Sequence, residues 1–111
     1  MYHNKKFKSI ENSESGEVSA ETIFEYFQKD NILWATYSGG SILLGNIIGT
    51  VDQDGKIEMR YQHLSSDGTF KTGKCNSSPE ILPNKKIRLH ESWEWSSGII
   101  GKGKSIIEEI I

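Results

Sequence analysis

The feature that most restricts the fold of this chain is its punctuation. Turn residues built on glycine recur about every ten positions, and the runs between them are rich in β-branched and aromatic residues. This rhythm describes antiparallel strands joined by short connections. Runs are expected at residues 5–13, 18–28, 32–38, 41–51, 56–64, 69–76, 87–96 and 104–111. Residues 14–16 read as one turn, and Lys29, Asp30 and Asn31 as the next. Gly39 and Gly40 suit a hairpin turn because both tolerate positive φ, and Asp54-Gly55 and Asp67-Gly68 are strong hairpin signals. Both prolines, Pro79 and Pro83, fall in a longer loop over 77–86, so neither interrupts a strand. Residues 19–29 also admit a short amphipathic helix capped near Ser19, but their β-branched and aromatic crowding favours a strand.

Eight runs of about nine residues use nearly all of the 111 positions, which leaves room for a single domain over 1–111 and for no long helix. Only 35% of the residues are hydrophobic, so apolar positions must line one face of each strand economically. Consecutive hairpins close most economically into an all-β, antiparallel up-and-down barrel of about eight strands, because closure removes exposed edges. Such a barrel encloses packed side chains or one small ligand. A net charge of −2 gives no reason to expect nucleic acid or an acidic membrane as partner. No stretch approaches the roughly 20 apolar residues of a membrane span, and the opening residues lack the apolar core of a signal peptide, so a cytoplasmic location is expected.

The lone cysteine agrees with a reducing compartment, and Cys75 is read as structural because its sequence neighbours supply lysines and no histidine. One Cys and three His offer no zinc-ligand spacing, so no metal and no cofactor are expected. Gly98 to Ser105 matches the pattern of a phosphate-binding loop, but only six residues follow, too few for the helix whose amides would hold the phosphates. Asp52, Asp54 and Gly55 suggest a calcium loop, yet the first and twelfth ligand positions would be Thr50 and Tyr61, so a hairpin turn is the better reading.

Alternation carries the functional reading. In the seventh run Ile87, Leu89, Glu91, Trp93 and Trp95 share one face; in the fifth, Ile57, Met59, Tyr61 and His63 do. Pointed inward, Tyr61, Trp93 and Trp95 form an aromatic wall with Met59, joined by Trp34 from the third run, and His63 and Glu91 serve as polar handles. An apolar cavity with a few placed polar groups is the usual form of a small-molecule site. These aromatics also suit a filled core. The opposite faces carry Arg60, Arg88, His90 and Glu94, which either form solvated ion pairs or, turned inward, grip an anion.

Three stretches carry a wider resemblance: YHNKKFKSIENSESGEVSAETIF, YSGGSILLGNIIGTVDQDGKIEMRYQHL and CNSSPEILPNKKIRLHESWEWSSG. With these, nearly the whole chain resembles a family of small bacterial proteins, avidin-like or lipocalin-like in fold, that often carry the name N-acetylglutamate synthase. The match is close at Met59, Arg60, Tyr61, Arg88, His90, Glu91, Trp93 and Trp95; Ile99, Ile100 and Gly101 depart from the family's more polar turn. The resemblance implies the barrel and supplies no catalytic residue. The inherited name implies acetyl transfer from acetyl-CoA to glutamate, chemistry that normally uses a larger α/β domain with a backbone cradle for pyrophosphate. Neither the length nor the pattern supplies one. The first expectation is therefore a non-enzymatic barrel binding a small, partly apolar molecule; the second is the acetyltransferase; the third is a filled barrel that pairs with a copy of itself as a homodimer.

Overall fold

Each hairpin signal folds the chain back on its neighbour, and the result is a closed barrel. The computed structural model describes residues 1–13, 17–96 and 101–110. Among these, β1 (Lys5–Asn12), β2 (Ile23–Lys29), β3 (Ile32–Gly39), β4 (Ile42–Val51), β5 (Ile57–Ser65), β6 (Phe70–Ile81), β7 (Ile87–Trp95) and β8 (Lys102–Ile110) pair antiparallel in chain order. The barrel closes where β8 returns to β1, with Lys6 opposite Ile110 and Asn12 opposite Ser105.

The turns work as their residues dictate. Asp52 Oδ1 accepts from the backbone amides of Asp54 and Lys56, both at 2.9 Å, and Gly55 takes φ 81°. This is hairpin chemistry, not a calcium loop. Gly39 and Gly40 take φ 119° and 65°. A Cβ at Gly39 would also collide with the Glu21 carbonyl.

Four expectations need correction or bounding. The second strand starts at Ile23, five residues late, because the Thr22 amide donates to the Ser19 carbonyl and the Glu21 amide to Ser19 Oγ, which makes 19–22 a turn. Nothing there is helical. Pro79 lies inside β6, opposite Leu89, and not in a loop. The β5–β6 pairing ends at Ile57 and Ser77, so beyond that point β6 has a partner on one side only, where a missing amide donor is tolerated. The last strand starts at Lys102, earlier than expected, and Gly103 to Ser105 are extended, so no helix follows the phosphate-loop pattern. The turn at 14–16, most of the glycine-rich loop (97–100) and residue 111 lie outside the described residues.

Strand alternation divides inside from outside. Arg88 pairs with Glu108 at 2.7 Å, His90 with Glu80 at 2.8 Å and Arg60 with Glu58 at 3.4 Å, all on the outer surface. The solvated reading of that face therefore holds. Inside, the two halves of the barrel differ. Around the β2–β3, β4–β5 and β6–β7 turns the interior is filled by Tyr2, Phe7, Tyr26, Leu33, Ile57, Leu89 and Ile107, each 2% exposed or less. Tyr2 seals that end by donating from Oη to the Gly55 carbonyl. Toward the opposite mouth the wall residues stand apart and a cavity opens.

Candidate functional site

The cavity exists because large side chains face glycines across the strands. Tyr37 is paired with Gly45, Met59 lies opposite Gly49, Tyr61 opposite Gly73 and Trp93 opposite Gly103. A Cβ at Gly45, Gly73 or Gly103 would collide with the ring it faces. The glycines let the rings lie down against the barrel wall, so the interior is paved with aromatic surface while space remains along the axis. That space is a cavity of about 60 Å³, lined by Phe24, Tyr37, Ile47, Met59, Tyr61, Cys75, Trp93 and Trp95 and by two polar clusters.

The deeper cluster centres on Glu91. Ser77, Glu91 and Ser105 form one rung across β6, β7 and β8, so both serine hydroxyls reach the carboxylate: Ser77 Oγ donates to Oε2 and Ser105 Oγ to Oε1, each at 3.0 Å. Glu91 is half-buried, and its carboxylate lies between the two serines on the cavity wall. Burial pushes the Glu91 pKa up to about 7, and the hydrogen bonds from Ser105 and Ser77 only partly oppose this. Beside it, Cys75 is buried and its thiol is pushed well above the usual range, first by desolvation and then by the nearby Glu91. A thiol held protonated in this way is inert, as its structural reading expects.

The cluster at the mouth is an ion-paired chain. Glu17, from the β1–β2 connection, accepts from Ser65 Oγ at 2.7 Å, is paired with Lys71 and lies 2.8 Å from His63 Nε2. His63 Nδ1 lies 2.8 Å from Tyr37 Oη. A carboxylate only accepts, so His63 donates from Nε2 to Glu17 and accepts at Nδ1 from the tyrosine. Desolvation lowers the His63 pKa, which keeps the ring neutral near pH 7. Next to it the β1 end is fixed by Asn12, whose Nδ2 donates to the Val18 carbonyl and whose Oδ1 accepts from Trp93 Nε1 at 3.2 Å.

Of the residues expected from the sequence, Tyr61, His63, Glu91, Trp93 and Trp95 line this cavity. Trp34 does not. It is 40% exposed on the outer face, stacked on Phe27 at 6.0 Å and paired with Ile48, because Leu33, Ala35 and Tyr37 take the inward positions of β3. Alternation in the third run could have shown Tyr37, and pairing with the seventh run could have shown Cys75 and Ser77. Glu17 carried no such signal, since a loop residue reaches the mouth only through the closed fold.

Among the described residues, two buried side-chain polar atoms have no hydrogen-bond partner: Trp95 Nε1 and Tyr26 Oη. Trp95 lines the cavity, with its ring 5.7 Å from Tyr61 and 5.8 Å from His63. No group of three or more His, Cys, Asp or Glu among the described residues could hold a metal ion.

A closed eight-stranded antiparallel barrel, packed at one end and hollow at the other, is a scaffold of the class that takes up small molecules. The particular family follows from sequence comparison. The family model described as Avidin-like protein matches residues 1–110, and the chain belongs to that family. No curated protein and no solved structure matches it.

Proposed function

We propose that the protein binds a small, partly apolar molecule in the open half of the barrel without forming a covalent bond to it. The observation that carries this reading is the cavity itself, walled by Phe24, Tyr37, Tyr61, Trp93 and Trp95 and carrying the polar groups of His63 and Glu91. The groups that could act as nucleophile support a non-covalent role: the Cys75 thiol is held protonated, and both nitrogens of His63 are already hydrogen-bonded. In this reading the protein works in the cytoplasm, where its single cysteine stays reduced.

The test is a thermal-shift and tryptophan-fluorescence screen against metabolites, fatty acids, haem, biotin-like compounds, acetyl-CoA and glutamate, since a ligand of the native state raises its stability by mass action. The expected result is a saturable shift that Trp95→Phe weakens and Trp93→Ala abolishes. Release of free CoA from acetyl-CoA in the presence of glutamate would instead support the inherited synthase name. No shift across the panel, together with a concentration-dependent mass, would favour a filled module that forms a homodimer.

A further inference from the structure

We propose that the buried end of the ligand is a small organic cation, an ammonium, amidinium or imidazolium group, with Glu91 as its counter-ion. The inference rests on the binding reading above and assigns the chemistry of the group that reaches deepest into the cavity.

Glu91 differs from the carboxylates around it in its partners. Glu17 is paired with Lys71, Glu108 with Arg88 and Glu109 with Lys5. The carboxylate of Glu91 forms no ion pair with any described Lys, Arg or His, and its hydrogen-bond donors are the neutral hydroxyls of Ser77 and Ser105 and the neutral thiol of Cys75. A carboxylate offers about four lone-pair directions, so one stays open after the two serines and the thiol are served. That position suits an N–H of an amidinium, ammonium or imidazolium, and the thiol, a weak donor, gives way to a second.

The groups facing Glu91 from the neighbouring strands leave this role open. From β6 come Ser77 and Cys75, from β8 Ser105, and from β2, β3 and β5 the phenols of Tyr26, Tyr37 and Tyr61, whose titration is coupled to the Glu91 charge. All are neutral in the folded protein, with the thiol and the phenols held protonated by burial, and none is a cation. At the mouth, the neutral state of His63 and the pairing of Lys71 with Glu17 keep positive charge from opposing a cationic guest. The walls add attraction of their own: Trp93, Trp95 and Tyr61 present aromatic surface, and the face of such a ring attracts a desolvated cation. A volume of about 60 Å³ limits the buried group to a few heavy atoms, so a larger body must extend toward the mouth.

The test is a set of calorimetric and NMR titrations of the whole chain with acetamidinium and benzamidinium chloride, matched against the neutral isosteres acetamide and benzamide, at pH 6 and pH 8. Each cation is expected to bind at least about tenfold more tightly than its isostere at pH 8, and to lose about tenfold in affinity at pH 6 as Glu91 takes up a proton. Glu91→Gln should abolish the preference while its circular dichroism matches wild type. Should that variant misfold, wild type alone decides: in two buffers of different ionisation enthalpy near pH 7, amidinium binding must release protons and amide binding must not. Equal affinity for cation and isostere would overturn the cation assignment while leaving the binding site in place. Silence of all four probes, with the broad screen also silent, would overturn both.

Discussion

Glu91 shows how one residue carries both a cost and a use. In the folded chain its carboxyl holds a proton to about pH 7, whereas the unfolded chain releases it near 4.5. Between those values the folded state binds more protons, so stability falls as pH rises, and the full loss of roughly 3 kcal/mol is reached above pH 7. Glu91→Gln removes this dependence. In urea unfolding, the variant is expected to gain roughly 2.5 kcal/mol on wild type between pH 5 and pH 8; parallel profiles would show that the carboxyl is not desolvated in the folded chain. A position that costs stability in the empty protein at neutral pH is one where a bound counter-ion has most to contribute. Cys75 offers a second residue-scale check. Burial and the neighbouring Glu91 raise its pKa, so a disulfide-exchange reagent at pH 8 should label it only as fast as the protein unfolds. Rapid labelling of the native protein would contradict its placement on the inner wall.

At the scale of the strands, the decisive device is the pairing of inward rings with glycines. Tyr37 with Gly45 and Tyr61 with Gly73 are cross-strand neighbours in which the ring occupies the space a Cβ would need. Gly45→Ala is therefore expected to destabilise the barrel by about 1–3 kcal/mol through overpacking, measured by chemical denaturation. A neutral effect would mean that Tyr37 can leave the wall. The same pairs bear on what was legible in the sequence. Gly45, Gly49 and Gly73 fall within the strands expected at 41–51 and 69–76, whereas Gly103 precedes the strand expected from 104 and lies within β8. The turn pairs Gly39-Gly40, Asp54-Gly55 and Asp67-Gly68 were legible because their backbone requirement is local. Pro79 was misplaced because its tolerance depends on where the neighbouring strand stops, which no local pattern records.

For the whole molecule, pairing of β1 with β8 closes the sheet into a barrel and brings Lys6 opposite Ile110. A circular permutant that joins residue 111 to residue 1 through a short linker and opens between Asp67 and Gly68 is expected to keep the wild-type circular dichroism and its cavity, because a Cβ at Gly68 would meet no other atom and the turn is exposed. Loss of cooperative unfolding in that permutant would show that the β5–β6 hairpin is needed to set the register. The amino-acid sequence by itself determined the number of strands, most of their bounds and the inward faces of β5 and β7, because alternation and turn chemistry act between near neighbours. It thereby found five of the residues around the cavity. Only the tertiary structure decided that Trp34 faces outward, that Glu17 reaches His63 across 46 positions, and that Ser77 and Ser105 converge on Glu91. Those contacts depend on register and closure among strands distant in the chain, and a shift of one residue in either would exchange the two faces.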